Sequence, residues 1–431
     1  MGRRQTKNDV AWEALFDKYN ILKKIKTKGF FEIESKQINE FRESRLMAKF
    51  DHYINLPTIF KKHSLSILPV SRSKYVIGYF NTYYKVTYDL NAETQLVNIP
   101  RKIESIDYTD LYSESAALHF AYITGLIDII LEEESLFTVS GRMASNNFNF
   151  TIRNSVDNSL YPVSVENSQL EIDGGYESQN YFAIVEAKNF SVDDILIRQL
   201  YYPYRLWSGK INKQVIPIFM TFSQDTFSFF IFKFQNIMEY NSLILISQKD
   251  FIIAPEKITL DELIEVHKNI KLCLDLEGVP FPQADRFVRI IDLLGLLYEK
   301  DLTREEITQN YDFDERQTNY HTDAGRYLGL IKKYKDSETK EIAYTLTSDA
   351  RIIMGRKYKA KYLSFVEKIL KHEVFYKVFE ITLQEGKVPD KNKIIEVMLD
   401  CRLNERYNIN TIDRRSVTVR WWINWIVSLI H

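Results

Sequence analysis

Cysteine is almost absent from this sequence of 431 residues, which contains Cys273 and Cys401 and no others. Two cysteines exclude a disulfide framework and a zinc site built from cysteine ligands. A reducing, intracellular setting is therefore the simpler expectation. The first residues lack an apolar core of signal-peptide length, so we expect a cytoplasmic protein.

Long apolar runs and a strong net charge are missing too. No run reaches the roughly 18 apolar residues that a membrane-spanning helix needs, so we expect no membrane partner. The formal net charge is −1, from 57 basic and 58 acidic residues. A neutral total gives no global field towards a polyanion, although a local basic patch can still bind one.

The central third of the chain mixes helical and strand patterns. Ser113 is a candidate N-cap for one long, mostly buried helix that ends near Glu134. Ser191 is a candidate N-cap for a second helix over 191–207, in which Pro203 bends or ends the helix. Strands are predicted at 147–153, 161–166, 168–173 and 181–188, with two more before residue 235.

The C-terminal third is strongly helical. Helical patterns over 286–300, 302–313 and 314–334 precede a two-stranded segment with a polar tip at 335–347. Three helices followed by such a wing are the layout of a winged-helix module, a relative of the helix-turn-helix. A weaker version of the same pattern follows over 359–431.

Charged residues interrupt the most apolar strand. The run YFAIVEAK carries Glu186 and Lys188 at its end, and Asp173 lies thirteen residues before Glu186. A buried strand end is a costly place for charged groups. Glu186 and Lys188 share one strand face because side chains alternate. One reading is therefore a strand-end ion pair, with Asp173 capping a turn.

The other reading is metal-assisted cleavage of a phosphodiester bond. Asp173, Glu186 and the carbonyl of Ala187 can supply oxygen ligands, which suit Mg²⁺ better than zinc. Lys188 can orient the attacking water and stabilise charge on a phosphate. The turn at Gly174-Gly175 and the helix that follows the strand favour this reading.

These segments resemble the PD-(D/E)xK nuclease superfamily and, within it, a group of bacterial type II restriction endonucleases. The resemblance is carried by EIDGG, VEAKN, RQLYYPYR and a preceding SESAAL helix, over roughly residues 110–245. Ile172 stands where the nominal motif has proline. The resemblance implies Mg²⁺ as cofactor and Glu114 as a further acidic ligand; Glu171 is a second-rank acid.

The helix after the core offers side chains to the substrate. Arg198, Tyr202 and Arg205 recur at three- and four-residue steps, so they are expected on one face that meets the DNA backbone, with Gln199 beside them at the catalytic centre. An ordinary basic surface helix is the alternative. Arg142 at the edge of the core is either a phosphate contact or a turn arginine.

Both winged modules offer groups that read bases. Arginine reads guanine, and asparagine or glutamine reads adenine. In the second module Asp413 is the expected N-cap. A solvated helix that binds protein is the alternative in each case. The predicted DNA contacts are Arg316, Gln317, Asn319, Tyr320 and Arg326 in the first module, and Arg414, Arg415, Thr418 and Arg420 in the second.

We therefore predict an α+β protein: a mixed-sheet PD-(D/E)xK core followed by winged-helix-like domains. Its expected activity is Mg²⁺-dependent, sequence-specific cleavage of double-stranded DNA, with a homodimer on DNA and a cognate DNA methyltransferase as partners. A non-catalytic DNA-binding regulator and a modification-dependent nuclease are the alternatives. The predicted segments are a DNA-contacting α/β region (1–105), the core (106–250), a linker (251–285) and two binding modules (286–358 and 359–431).

Overall fold

A computed structural model describes residues 6–89, 92, 94–100, 103–108, 111–253, 256–337 and 340–430, apart from the side chain of Asn310. The protein is a mixed α+β structure built around a seven-stranded mixed sheet.

The N-terminal part packs short helices against a three-stranded antiparallel sheet in the order β1-β3-β2. Trp12, Leu15 and Phe60 are fully buried at its centre, where the Trp12 and Phe60 rings meet edge to face. Its elements are α1 (Lys7–Tyr19), α2 (Ile21–Lys28), β1 (Phe30–Glu34), α3 (Ser35–Ile38), α4 (Ser44–Ala48), a 3₁₀ turn (Tyr53–Asn55), α5 (Thr58–Lys62), β2 (Ser66–Pro69), β3 (Lys74–Gly78), β4 (Tyr83–Lys85) and β5 (Thr94–Leu96).

The central part contains the large sheet and the helices that cover it. Its elements are α6 (Glu114–Ile123), α7 (Leu126–Leu131), β6 (Leu136–Ala144), β7 (Asn147–Arg153), β8 (Leu160–Glu166), β9 (Gln169–Glu177), β10 (Tyr181–Lys188), β11 (Asp194–Leu196), α8 (Arg198–Ser208), β12 (Gln214–Ser223), β13 (Thr226–Phe234) and β14 (Leu243–Ile252). The strand order in the sheet is β5-β14-β13-β12-β10-β9-β6.

Strand β10 lies inside this sheet and is buried from Phe182 to Lys188. It pairs antiparallel with β9 and parallel with β12, and α8 forms the crossover between the two parallel strands. Strands buried on both faces are near-continuous apolar runs, which explains why β10 reads YFAIV before its charged end.

Two predicted helices differ from the structure. The long helix that begins at Ser113 breaks at Gly125, which has φ of +76°, so Glu134 lies beyond α7. The Thr124 hydroxyl bonds back to the carbonyl of Phe120, which competes with continuation of the helix. The second helix begins at Arg198 rather than at 191, because residues Asp194–Leu196 pair with β4. Pro203 lies inside α8, which continues to Ser208.

The C-terminal part contains three helices and a small sheet, followed by a helical block. Its elements are α9 (Leu260–Asn269), α10 (Phe287–Glu299), β15 (Leu302–Thr303), α11 (Arg304–Asn310), α12 (Glu315–Tyr327), β16 (Ile331–Lys335), β17 (Ile342–Leu346), α13 (Ser348–Met354), α14 (Tyr358–Leu370), α15 (Glu373–Glu385), α16 (Lys391–Asp400), a 3₁₀ turn (Leu403–Glu405) and α17 (Ile409–Ser428).

Helices α10, α11 and α12 precede the antiparallel pair β16 and β17, with β15 as a third strand in the order β15-β17-β16. Asp314 caps α12 and forms a capping box with Gln317. The helix ends at Tyr327, earlier than predicted, because the chain turns at Gly329, which has φ of +69°, and enters β16 at Ile331.

The final block, over residues 348–430, contains helices and no named strand, so the wing predicted for the second module is absent there. Asp413 is not an N-cap: Asn408 caps α17, and Asp413 lies inside that helix, paired with Lys391 at 2.8 Å. The side-chain pattern of α17 resembled a helix start at Asp413 because aspartate favours caps, whereas here its partner on α16 holds it mid-helix.

The central and C-terminal parts share a continuous core and buried polar contacts. The carboxylate of Asp292 on α10 accepts hydrogen bonds from Ser191 and Ser223, and the buried ammonium of Lys361 pairs with Asp225 at 2.8 Å. Among the helices described, none is long and apolar enough to cross a membrane.

Candidate active site

The end of β10 and the middle of β9 bring the predicted acids together. The pairing register places Gly174 opposite Val185, so Asp173 is the next residue along β9 and Glu186 the next along β10. A carboxylate oxygen of Asp173 accepts the main-chain N–H of Ala187 at 2.8 Å. Asp173 therefore does not cap a turn; it reaches across to the neighbouring strand.

Lys188 lies at the centre of the cluster. Its ammonium nitrogen is 2.6 Å from a carboxylate oxygen of Glu186 and 3.7 Å from one of Glu114, and it donates to the carbonyl of Ala187 at 3.0 Å. Gln199, in the first turn of α8, donates its side-chain amide to the same oxygen of Glu186. Four predicted catalytic side chains thus form one hydrogen-bonded and ionic network.

The network is buried at its base and open on one side. Glu186 and Lys188 are 8% and 7% exposed, whereas the Glu114 side chain, at the start of α6, is 40% exposed. Ser113 caps α6 by accepting the N–H of Ala116, which fixes the first turn that carries Glu114.

Burial dominates the electrostatics. Loss of solvation, together with the nearby negative charge of Asp173, raises the pKa of Glu186 to about 8 in spite of Lys188. Burial also raises the pKa of Glu114. Burial alone would lower the pKa of Lys188, but Glu114, Glu186 and Asp173 together raise it well above its ordinary value. The site therefore contains more carboxylates than its single ammonium can neutralise.

Sequence reasoning missed Asp51 in the N-terminal part. This aspartate has one carboxylate oxygen that is buried without a hydrogen-bond partner, and Lys49 lies 3.5 Å from the other. Burial raises the pKa of Asp51, but the positive charges of Lys49, Lys188 and Arg198 lower it by more. The net pKa of Asp51 is therefore below its ordinary value. No local sequence signal marks Asp51, because it belongs to a different part of the fold.

A cleft of about 430 Å³ lies over this network. Asp51 from the N-terminal part, Glu114 from the central part and Lys300 from the C-terminal part all line it. All three parts of the chain therefore contribute to the opening through which a substrate would reach Glu114.

The residues suit a hard divalent cation in chemistry, although Lys188 lies among them. Carboxylate and carbonyl oxygens are the ligands that Mg²⁺ prefers. Burial is the main cause of the elevated pKa of Glu186, and the negative charge of Asp173 adds to it; a divalent cation would favour the ionised carboxylate. The ammonium of Lys188 lies between Glu186 and Glu114, beside the oxygens that would hold a cation.

Among the residues that the structure describes, a different group of three has possible metal-ligand atoms close enough to bind one ion. One atom each of His52, Asp194 and Asp312 lies within 4.8 Å of the other two. These groups already have protein partners, since Asp312 pairs with the buried Arg289 at 2.6 Å and His52 Nδ1 contacts Asp194 at 3.2 Å. We read the trio as a polar junction between the three parts of the chain.

Helix α8 does not present the basic face that the spacing predicts. Tyr202 is fully buried and donates its hydroxyl to the carbonyl of Pro69, so its predicted DNA contact is wrong. Arg205 donates to the carbonyls of Asn149 and Ile237 and lies over the Phe148 ring, which makes it a packing residue. Arg198 is half-buried, stacks on Tyr202 and acts electrostatically on Asp51.

Arg142 lies on the edge strand β6 and is exposed. Its Nε atom is 3.3 Å from a carboxylate oxygen of Glu171, directly opposite on β9. Glu171 is therefore engaged in a cross-strand pair outside the network around Lys188, whereas Asp173 belongs to that network.

The predicted contact residues on the recognition helix α12 differ in their exposure and in their partners. Arg316 is exposed, and Asn319 and Tyr320 are half-buried. The Gln317 side chain accepts the N–H of Asp314 in the capping box, and Arg326 pairs with Asp323 at 2.7 Å. Lys332 and Lys333 lie beyond this helix, exposed on β16.

The predicted contact residues on helix α17 divide into exposed and buried side chains. Arg414 and Arg420 are exposed. Arg415 is 5% exposed with its guanidinium 3.8 Å from the centre of the Tyr407 ring, and Thr418 is 1% exposed and donates to Asp285. The predicted DNA contacts of Arg415 and Thr418 are wrong, because both face the core. Trp421, which precedes the buried Trp422, is 55% exposed.

Comparison with known proteins divides the chain into three matched segments. Residues 9–77, 78–252 and 289–431 match family models described as domains of unknown function, DUF6996, DUF6997 and DUF7226 respectively. No curated protein and no solved structure gives a significant match. The Asp173, Glu186 and Lys188 cluster falls within the second segment, and both predicted binding helices fall within the third.

Proposed function

We propose that this protein is a Mg²⁺-dependent endonuclease that cleaves double-stranded DNA at specific sequences, with a PD-(D/E)xK-type core. The observation that carries the proposal is the convergence of Asp173, Glu186 and Lys188 at the end of a buried strand, although Asp173 comes from the neighbouring strand. The parallel crossover from β10 through α8 to β12 supports it, because α8 supplies Gln199 to the same site.

Asp173, Glu186, Glu114 and the carbonyl of Ala187 are the groups that would hold Mg²⁺. When bound, the cation would lower the pKa of the attacking water and stabilise charge on the phosphate. Lys188 supplies a fixed positive charge beside the reacting phosphate. Because Lys188 is buried, its attraction for the phosphate is stronger than the same attraction would be in water. Gln199 fixes the orientation of Glu186 through its amide.

Sequence specificity is assigned in this proposal to the C-terminal part. Asn319 on α12 is half-buried and has the chemistry that reads adenine in the major groove, while the exposed Arg316 supplies positive charge for a contact to the DNA backbone. Exposed lysines on β16 suit contacts to the backbone. Cutting both strands in one event with one site per chain takes two chains, so we propose a homodimer on DNA; sequential nicking by a monomer is the alternative. A cognate methyltransferase protecting host DNA in a bacterial cytoplasm completes the proposed setting.

The test is digestion of unmethylated phage DNA with and without Mg²⁺. Wild-type protein is compared with Asp173→Ala, Lys188→Ala and the matched control Glu171→Gln, whose carboxylate lies two residues from Asp173 on the same strand but pairs with Arg142. We expect discrete, Mg²⁺-dependent bands from the wild type and the control, and none from the other two variants.

Other outcomes separate the alternatives. Absence of cleavage by the wild type, with specific binding retained in all four proteins, contradicts the nuclease proposal and identifies a DNA-binding regulator. Cleavage restricted to methylated DNA identifies a modification-dependent nuclease. Cleavage that persists in Asp173→Ala and Lys188→Ala would show that the reaction does not take place at this site.

A further inference from the structure

Tyr320 joins two arginines from different parts of the C-terminal fold. Its phenol oxygen accepts a hydrogen bond from Arg316 Nε on α12 at 2.5 Å and from Arg414 Nη2 on α17 at 3.1 Å. The guanidinium carbons lie 5.2 and 5.3 Å from the centre of the Tyr320 ring, so both cations also stack on it. One side chain thus orients two positive charges.

These two arginines differ from the other arginines nearby. Arg286 and Arg289 are paired with Asp193 and Asp312 at 2.7 and 2.6 Å. Neither Arg316 nor Arg414 has a carboxylate within ion-pair distance among the residues that the structure describes. Two like charges around one neutral phenol repel each other, and an anion placed between them would remove that repulsion.

The titration of Tyr320 reflects the same excess of positive charge. Burial raises its pKa, but the hydrogen bonds from Arg414 and Arg316 outweigh burial, and the net pKa is lowered. The field at the phenol oxygen therefore favours negative charge.

An open cleft of about 420 Å³ adjoins the cluster. One oxygen of each acidic lining residue is hydrogen-bonded, since Asp314 accepts the N–H of Gln317 and Asp285 accepts the hydroxyl of Thr418. Arg316 and Arg414 also line the cleft, and their guanidinium groups donate hydrogen bonds in a geometry that matches phosphate.

We propose that Arg316 and Arg414, positioned by Tyr320, together grip one phosphate of the duplex backbone. The contact rests on the proposed function only in taking duplex DNA as the ligand. It makes the predicted recognition helix and the final helix a single composite DNA-binding surface, in place of two separate modules. One phosphate then fixes the register of α12 on the duplex, as backbone contacts do in other DNA-binding proteins.

The test measures binding of a fluorescent 60-base-pair duplex, without divalent cations, as a function of salt concentration. The proteins are wild type, Arg316→Gln, Arg414→Gln, the double variant, Tyr320→Phe and the control Arg153→Gln, an exposed arginine at the end of β7. Thermal unfolding checks that each variant is folded. A parallel arm measures the Tm with 10 mM inorganic phosphate, which separates a backbone phosphate from a free anion.

We expect the double variant to lose about one unit from the slope of log K against log salt and about eightfold in affinity at 0.1 M salt, since one phosphate contact is lost. Each single variant should lose less. Tyr320→Phe keeps both charges, so its slope should stay unchanged while its affinity falls severalfold. Arg153→Gln should bind as the wild type does, and inorganic phosphate should leave the Tm unchanged.

Wild-type affinity and slope in the double variant would overturn the inference, as would a slope change of about two units, which means two separate phosphates. A Tm increase with inorganic phosphate that is lost in the double variant would identify a free-anion site instead. Binding needs no cleavage, so the outcomes are independent of the nuclease proposal. Loss of binding in the double variant supports the composite contact even if the wild type never cleaves DNA.

Discussion

The ammonium nitrogen of Lys188 lies 2.6 Å from a carboxylate oxygen of Glu186, and both residues are buried. Alternation along β10 dictates that the two share a face, but the network contains Asp173 and Glu114 as well. One ammonium therefore faces several carboxylates in a poorly solvated place. That imbalance gives the site its expected affinity for a cation.

Divalent cations should stabilise the folded protein through this network. Without a cation, the folded state holds the proton of Glu186 more tightly than the unfolded chain, since its pKa rises from 4.5 to about 8. The contribution of Glu186 to the free energy of unfolding therefore decreases as the pH rises through that range. Added Mg²⁺ or Mn²⁺ should oppose this decrease and raise the Tm, more at pH 8 than at pH 6, because cation binding requires the ionised carboxylate.

At a cation concentration one hundred times its Kd, the stabilisation should be about 2.7 kcal/mol. Calorimetry over a cation titration measures it. Glu186→Gln and Asp173→Asn should abolish the response, and Glu171→Gln should keep it. An equal response in all four proteins would place the cation elsewhere, with the His52, Asp194 and Asp312 trio as the next group to test.

Asp51→Asn should reduce cleavage while leaving the protein folded. The substitution removes a negative charge beside Lys188 and Arg198, and changes to such supporting groups typically cost about 10- to 100-fold in activity or metal affinity. One oxygen of Asp51 has no hydrogen-bond partner, so we expect no large loss of stability. Rates of DNA cleavage and the Tm are the measurements.

The matched control for Asp51→Asn is Asp17→Asn, an exposed aspartate near the end of α1. It should leave the rate unchanged. A fall in Tm that parallels the fall in rate for Asp51→Asn would mean that Asp51 is structural.

Gly174→Ala should lower the stability of the protein by overpacking the core next to the candidate site. A Cβ atom at Gly174 would lie 2.8 Å from both Leu118 on α6 and the Tyr176 ring. Overpacking of this kind costs about 1–3 kcal/mol, and displacement of Leu118 would also move the helix that carries Glu114. Urea unfolding measures the loss.

Gly209→Ala is the comparison for Gly174→Ala. Its Cβ atom would make only ordinary contacts, at 3.7 Å, so we expect stability close to that of the wild type. Equal effects of the two substitutions would contradict the close packing described for Gly174.

His321 on α12 should make the stability of the folded protein decrease at acidic pH. Burial lowers its pKa from 6.5 to about 4, and its Nδ1 atom lies 2.8 Å from the carbonyl oxygen of Gln317. Because the folded state binds the proton less well than the unfolded chain, stability present above pH 6.5 is lost as the pH falls towards 4. One proton gives a slope of at most about 1.4 kcal/mol per pH unit.

The measurement is the free energy of unfolding by urea between pH 4 and pH 7, for wild type and His321→Leu. The variant should start lower at pH 7, since a packed polar group is replaced, but should fall less steeply towards pH 4. His119→Leu, at an exposed position on α6, is the control. Parallel curves for wild type and His321→Leu would show that His321 does not carry the acid sensitivity.

Much of the local structure follows from the sequence. The apolar run before Glu186 predicts a buried strand, and alternation predicts that Glu186 and Lys188 share a face, as they do. Ser113 is the cap that its position before a periodic run indicates. These features depend on neighbours in the chain, which pattern and capping preference report.

Errors arose where a distant segment competed for the same residues. Residues 194–196 have helical periodicity, but β4 supplies a strand partner, and the helix starts after them. Tyr202 and Arg205 have the spacing of an exposed basic face, but Tyr202 is buried against the carbonyl of Pro69, and Arg205 is half-buried and bonded to the carbonyl of Ile237. Spacing along a helix defines a face without saying which face meets solvent.

The sequence alone determined that acids and a lysine lie at the end of a buried strand, because burial, alternation and turn chemistry are local properties. Only the tertiary structure decided that Asp51 joins them, that Arg415 and Thr418 are buried, and that Arg316 and Arg414 meet at Tyr320. Such contacts link residues that are far apart in the chain: 94 positions separate Arg414 from Tyr320, and 133 separate Thr418 from Asp285. They depend on how whole elements pack, which no short stretch of sequence encodes.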